Sequence, residues 1–251
     1  MRSGRTVKMS NKTVISTNLI NGKPLVIVED IISKLTHVSQ KTSDKHYEEN
    51  LIPWKNYLES MKSPYIERQH DLTILKFGSY KKLFHKLLSW KGEITASGCS
   101  CEVIAAYNAL VFLENAHKNE NSFPKLLNYF EKRNTILKGY FGTSIVGLIK
   151  YFNQGEYEDT YLYGRKINEE ALTQIQENYS VYIFMSYNNS ENIVDMIHTM
   201  CITRSEEGFF IHNSYGKPIF YNSLYEAVVK YNEYGESHSR PIAVIGIRSR
   251  K

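Results

Sequence analysis

Three residues able to carry out nucleophilic catalysis stand in order along the chain: Cys101, His198 and Asn213. A thiol attacks a carbonyl carbon as its thiolate. An imidazole takes the proton, and an amide oxygen holds that imidazole in one tautomer. Cys101 has a local reason to be reactive. Ser100 is a good N-cap, which predicts Cys101 as the first residue of a helix reaching Ala116. The unpaired N–H groups of a helix start favour a thiolate and offer an oxyanion site. Gly98 lets the chain approach closely without a side chain in the way. Glu102 works against this, because its charge raises the thiol pKa unless it points away. A positive partner is therefore needed, and His198 is assigned that role.

His198 and Asn213 lie on two apolar, β-compatible runs, His198–Thr203 and Gly208–Asn213. A four-residue hairpin loop between them would pair Thr203 with Gly208. Counting back sets His198 directly opposite Asn213 on one face. Directly opposed Cβ atoms lie about 4.5–5.5 Å apart, so the asparagine side-chain carbonyl reaches the imidazole. A slip of one residue would send the two to opposite faces. His212 alternates away from this pair and reads as a structural or surface histidine.

The cysteines are Cys99, Cys101 and Cys201, an odd number that argues against a disulfide framework and for reduced thiols. A cytoplasmic location is the expectation. The polar stretch Met1–Asn11 carries no secretory signal as written, although trimming of the N-terminus would leave secretion open. Cys99 reads as a structural thiol. A zinc site made of Cys99, Cys101, His198 and Cys201 is the rival chemistry. Its Cys-x-Cys spacing is short for zinc, and Cys201 faces away from His198 on a regular strand. No metal and no cofactor are expected.

The elements that must position these residues follow from periodicity. Helices are predicted over Ile27–Leu35, Trp54–Met61, Tyr80–Trp90, Phe123–Lys132 and Thr143–Phe152, the last with Thr143 as N-cap. The helix from Cys101 should bury one face: Val103, Ile104, Tyr107, Leu110 and Val111. Val38–Asp44 reads as a loop. Short strands are expected within Thr13–Val28, then at Val181–Met185, His198–Thr203, Gly208–Asn213 and Ile242–Ile247. Helices first and strands later predict an α+β fold with helices packed on an antiparallel sheet.

With 42% hydrophobic and 23% charged residues, the composition is that of an ordinary globular chain. The net charge of +5 comes from scattered residues without a dense Lys/Arg run, so no nucleic-acid partner is expected. No apolar run has the length of a membrane span.

Gly98-Cys99-Ser100-Cys101-Glu102 resembles the C-G-S-C-W segment of papain-like cysteine peptidases, and Ile211-His212-Asn213-Ser214-Tyr215-Gly216 resembles their K-N-S-W-G segment. Cys101 through Leu110, with Phe141-Gly142-Thr143-Ser144, is closest in feel to bacterial bacteriocin-leader-processing (double-glycine-type) peptidases. The resemblance implies a papain-like fold, with the nucleophile on a central helix packed against a C-terminal antiparallel sheet. It implies a Cys101–His198–Asn213 triad that cleaves a peptide or protein substrate through a thioester acyl-enzyme.

The chain departs from the family pattern at several points. The family glutamine six residues before the nucleophile falls on Thr95, leaving Ser97 as the oxyanion candidate. Tyr215 replaces the tryptophan that shields the His–Asn bond. Residues 1–85 match nothing in the resemblance and are assigned to an N-terminal extension: a pro-segment, a cap or part of the sheet. Residues 86–251 are assigned to the peptidase domain, helical over 86–175 and sheet over 180–251. An acyltransferase or transglutaminase-like enzyme using the same thiol is one alternative. A non-catalytic peptide-binding module on this fold is another.

Overall fold

The computed structural model describes residues 36–79, 95–139, 142–187, 197–214, 218–231 and 240–250. The strands expected within Thr13–Val28, the helix at Ile27–Leu35 and the helix at Tyr80–Trp90 lie outside them.

The run Val-Tyr-Ile-Phe-Met at 181–185 is apolar at every position, which suits a strand covered on both faces. It forms β2 (Val181–Tyr187), the centre of a six-stranded antiparallel sheet. The other strands are β1 (Tyr157–Tyr163), β3 (Ile197–Arg204), β4 (Phe209–His212), β5 (Ile219–Tyr221) and β6 (Arg240–Ser249). Their order across the sheet is β1-β6-β2-β3-β4-β5.

Among the described residues the α-helices in chain order are α1 (Gln40–Ser60), α2 (Ala96–Cys99), α3 (Cys101–Glu114), α4 (Ser122–Arg133), α5 (Ile145–Asn153), α6 (Glu169–Asn178) and α7 (Leu224–Val229). Val181, Ile183, Cys201, Ile245 and Ile247 face a core shared with α3. Tyr182, Phe184, Met200, Ile202 and Val244 face a second core closed by Leu172, Leu224 and Val228 of α6 and α7. The α+β arrangement of helices on an antiparallel sheet is thus observed.

The helix from Cys101 runs to Glu114, but it is not one-faced. Every residue from Glu102 to Val111 is buried, because helices and the sheet surround it. Trp54 of α1 packs edge-on against Tyr107 at 5.4 Å and against Phe123 at 4.7 Å. Ile66, Leu72, Leu75 and Phe77 are fully buried in the same core. Residues 36–79 therefore pack into the core that holds α3.

Other local readings shift. Val38–Asp44 is not all loop, since α1 starts at Gln40 with Ser39 accepting from the Thr42 N–H. Ser144, not Thr143, caps α5. The Thr143 hydroxyl is instead drawn to Glu102 at 3.0 Å. Among the described residues, no helix is long and apolar enough to cross a membrane.

The hairpin between β3 and β4 has a four-residue loop, but its register differs from the expected one. Arg204 pairs with Phe209 and Cys201 with His212. The loop is Ser205–Gly208, closed by the Ser205 N–H to the Gly208 carbonyl at 2.7 Å. Gly208 closes the loop and does not pair with Thr203; its φ is +153°, and a Cβ there would stand 2.5 Å from the Tyr221 carbonyl oxygen, so the position suits glycine. The shift is two residues in the pairing sum, so His198 and Asn213 keep the same parity but are no longer directly opposed.

Candidate functional site

The thiol sits at a broken helix start. α2 ends at Cys99, Ser100 adopts φ −117° and ψ 22°, and α3 begins at Cys101. Ser100 does not cap α3, because its hydroxyl donates back to the Ala96 carbonyl at 2.5 Å. Cys101 keeps partial exposure, whereas Cys99 and Cys201 are buried.

The Cys101 thiol donates to Glu102 Oε2 at 3.4 Å. The same oxygen accepts from Thr143 Oγ1 at 3.0 Å. The sequence required Glu102 to point away, and it does not. Burial, followed by the Glu102 charge, pushes the Cys101 thiol well above its ordinary value. Thr199, in its hydrogen bonding towards the thiol, pulls the other way. Burial also raises the Glu102 carboxyl, against hydrogen bonds from its own backbone, Cys101 and Thr143 that lower it.

His198 is 2% exposed. Its Nε2 donates to the main-chain carbonyl of Asn213 at 2.6 Å. A carbonyl only accepts, so Nε2 carries a hydrogen, and the neutral ring has its basic lone pair on Nδ1. Burial pulls the imidazole down to about 4, with the Asn213 bond opposing and the His70 charge assisting. The ring is thus neutral near neutral pH and supplies no positive charge to a thiolate, contrary to the role expected of it.

Asn213 holds His198 through its backbone and not through its side chain. Its φ of 64° is left-handed and lies just past the end of β4. The side chain, 0% exposed, turns to the segment Gln69–Ile74, a 3-10 turn, where Oδ1 accepts from the Gln69 N–H at 3.0 Å. Gln69 Nε2 donates to the Ser97 carbonyl at 2.8 Å. The Ser97 hydroxyl is shared with Thr95 Oγ1 at 2.8 Å, which binds the oxyanion candidate into its own turn. Tyr215 lies outside the described residues.

Gln69 is the participant that the sequence reading missed. It is 5% exposed and links α2 to Asn213 from 32 positions before Cys101, far from the six-residue spacing that the resemblance directs attention to. Nothing local to Gln69 marks it.

His212 proves to be a clamp. Nδ1 meets Glu67 Oε1 at 2.8 Å, Nε2 meets Thr203 Oγ1 at 2.8 Å, and the Tyr65 ring stacks on the imidazole at 4.0 Å. It ties the segment before Gln69 to the sheet. The cluster Cys99, Cys101, His198 and Cys201 does not form a metal site: among the described residues no group of three or more His, Cys, Asp or Glu could hold an ion.

The three sequence-predicted residues thus come to one end of the sheet. His198 and Asn213 bond each other, and Thr199, next to His198, acts on the Cys101 thiol by lowering it. No protein-family model, curated protein or solved structure matches the chain. The likeness to papain-like peptidases therefore stands on its motifs alone.

Proposed function

We propose that this protein is a thiol hydrolase of the cysteine-peptidase type, with Cys101 as nucleophile and His198, held by Asn213, as a proton-handling group. The observation that carries the reading is the 2.6 Å bond from His198 Nε2 to the Asn213 carbonyl, made one residue from Thr199, which lowers the Cys101 thiol. That bond leaves Nδ1 as the basic nitrogen, which is the arrangement a catalytic imidazole needs. A nucleophile at the start of a central helix, packed on an antiparallel sheet, also fits a papain-like fold.

In this reading Cys101 attacks the carbonyl of a peptide or protein substrate, the amine departs, and water releases the thioester. Thiol and imidazole are both neutral at rest. Activation is therefore by proton transfer at the moment of attack and not through a standing ion pair. The three free cysteines fit a reducing, cytoplasmic setting.

The thiol's bond to Glu102 favours a second reading, a non-catalytic module that binds peptides. One experiment separates the two. A peptide aldehyde and iodoacetamide are each reacted with the protein, and the modified cysteine is mapped by mass spectrometry. A hydrolase captures the aldehyde at Cys101 reversibly, and Cys101→Ser abolishes peptide cleavage. Alkylation of Cys101 by iodoacetamide with no aldehyde capture would favour the binding module.

A further inference from the structure

The hydrogen bond that the Cys101 sulfur donates goes to the Glu102 carboxyl at 3.4 Å. Glu102 itself is 6% exposed and stands in the first turn of α3, and Thr143 Oγ1 donates to the same oxygen at 3.0 Å. A carboxyl placed this way is oriented from two sides, by its own helix and by the Thr143 hydroxyl. The loop bearing Thr143 is seated closely, since a Cβ on Gly142 would stand 3.2 Å from the Cys99 carbonyl and 3.4 Å from Glu102 Oε2. A general base must first lie within hydrogen-bond reach of the proton it takes.

We propose that Glu102 is a catalytic residue that takes the Cys101 thiol proton as the sulfur attacks, with Thr143 positioning its carboxylate. This rests on the thiol-hydrolase reading and assigns within it the proton traffic of acylation. The Sγ–H proton passes to Oε2 as the sulfur–carbon bond forms, and the carbonyl π pair moves to its oxygen. When the carbon–nitrogen bond breaks, its electron pair stays on nitrogen, and the proton returns from Oε2 to the departing amine. Water then attacks the thioester, and His198 Nδ1 takes the proton from that water. Collapse expels the thiolate, which recovers the proton.

Burial supports the division. It raises the Glu102 carboxyl, which makes it a better base, and lowers His198 to about 4, which makes it a weaker one. The groups facing the pair are Thr143 before α5, Thr199 on β3 and Cys99 across the turn. His198 follows, one residue from Thr199.

The opposite role for Glu102 is that its charge merely suppresses the thiolate. The two roles give opposite signs. p-Nitrophenyl acetate is used as acyl donor, the acylation burst is followed across pH, and acetyl-Cys101 is mapped by mass spectrometry. If Glu102 is the base, Glu102→Gln slows acylation at neutral pH by about tenfold or more. The neutral plateau becomes a continuous rise with pH, and Thr143→Val produces a smaller slowing with Glu102 still in place. A solvent deuterium isotope effect on wild-type acylation is lost in Glu102→Gln. Faster or unchanged acylation in Glu102→Gln overturns the proposal. If Glu102→Gln fails to fold by circular dichroism, Thr143→Val and the isotope effect decide: an unchanged rate with no isotope effect overturns it. Acetylation of Cys101 with the expected signs, but with no peptide cleaved, removes the peptidase reading and leaves the Cys101–Glu102 pair standing. Wild-type protein that acetylates Cys101 no faster than free cysteine removes both.

Discussion

His198 Nε2 donates to the main-chain carbonyl of Asn213 across 2.6 Å, while the Asn213 side chain accepts from the Gln69 N–H at 3.0 Å. The asparagine therefore acts on the histidine through backbone shape, and the backbone shape needs a left-handed φ of 64°. Asparagine and glycine tolerate this conformation, whereas a β-branched residue is strained there by about 1–2 kcal/mol. Asn213→Gly is expected to keep most of the peptide-cleavage rate and Asn213→Val to lose it by about tenfold or more. Both leave the buried Gln69 N–H without its partner, which costs about 1–3 kcal/mol in a denaturation experiment. Equal rates in the two variants would remove the backbone argument.

The buried imidazole of His198 makes a pH prediction. In the folded chain it is held down to about 4, against about 6.5 for the unfolded chain. Between these values the unfolded state binds more protons, so stability rises with pH through the window. It is lost as pH falls from about 6.5 towards 4, by up to about 3 kcal/mol. His198→Gln has no proton to gain there. The measurement is the melting temperature at several pH values. The wild type should lose more on acidification than His198→Gln, and parallel curves would contradict a buried neutral His198.

The sequence carries much of this arrangement because its strongest signals are local. The helix at Cys101 and the strands holding His198 and His212 are set by runs of apolar residues, and they appear as expected. Even the length of the β3–β4 loop is legible. Its register is not, because the turn places Gly208 against Tyr221, a residue of the following strand that no local pattern reveals. The direction of the Glu102 side chain is set by Thr143, 41 positions away, and the tether on Asn213 by Gln69, 144 positions away. A pattern in one stretch of chain has no means of encoding those meetings. β1 and β5 also escape the pattern. β1 is only partly covered and rich in tyrosine, and β5 has three residues, so neither shows a clear apolar alternation.

Glu131 should be a strong determinant of stability. It is 0% exposed on α4, and its Oε1 accepts from His46 Nδ1 of α1 and from the Gly78 N–H, both at 2.7 Å. One carboxylate oxygen thus joins three separate segments of the core that carries α3. Glu131→Ala leaves the Gly78 N–H buried without an acceptor and removes the hydrogen bond to His46, a loss of about 3 kcal/mol. That corresponds to a fall in melting temperature on the order of 10 °C. His46, with 14% of its side chain exposed, should cost less when replaced by alanine. A fall of the same size in both variants would place the energy in the His46–Glu131 bond and not in the hold of Glu131 on the Gly78 backbone.

The three cysteines should separate cleanly in a thiol titration. Cys99 and Cys201 are buried, and burial raises both thiols; Cys99 also donates to the Thr95 carbonyl at 3.5 Å. Cys101 alone keeps exposure, but its thiol is also raised. A disulfide reagent at neutral pH should therefore modify a single thiol, and slowly, because reactivity follows the thiolate fraction. Unfolding should release the other two. Cys101→Ser should abolish the native reaction and reduce peptide cleavage by on the order of 10³-fold or more. Cys99→Ser should leave both nearly intact, with a stability loss of about 1 kcal/mol from placing a hydroxyl in an apolar turn. Loss of cleavage in Cys99→Ser with retention in Cys101→Ser would move the nucleophile two residues back, onto a thiol that the fold keeps from solvent.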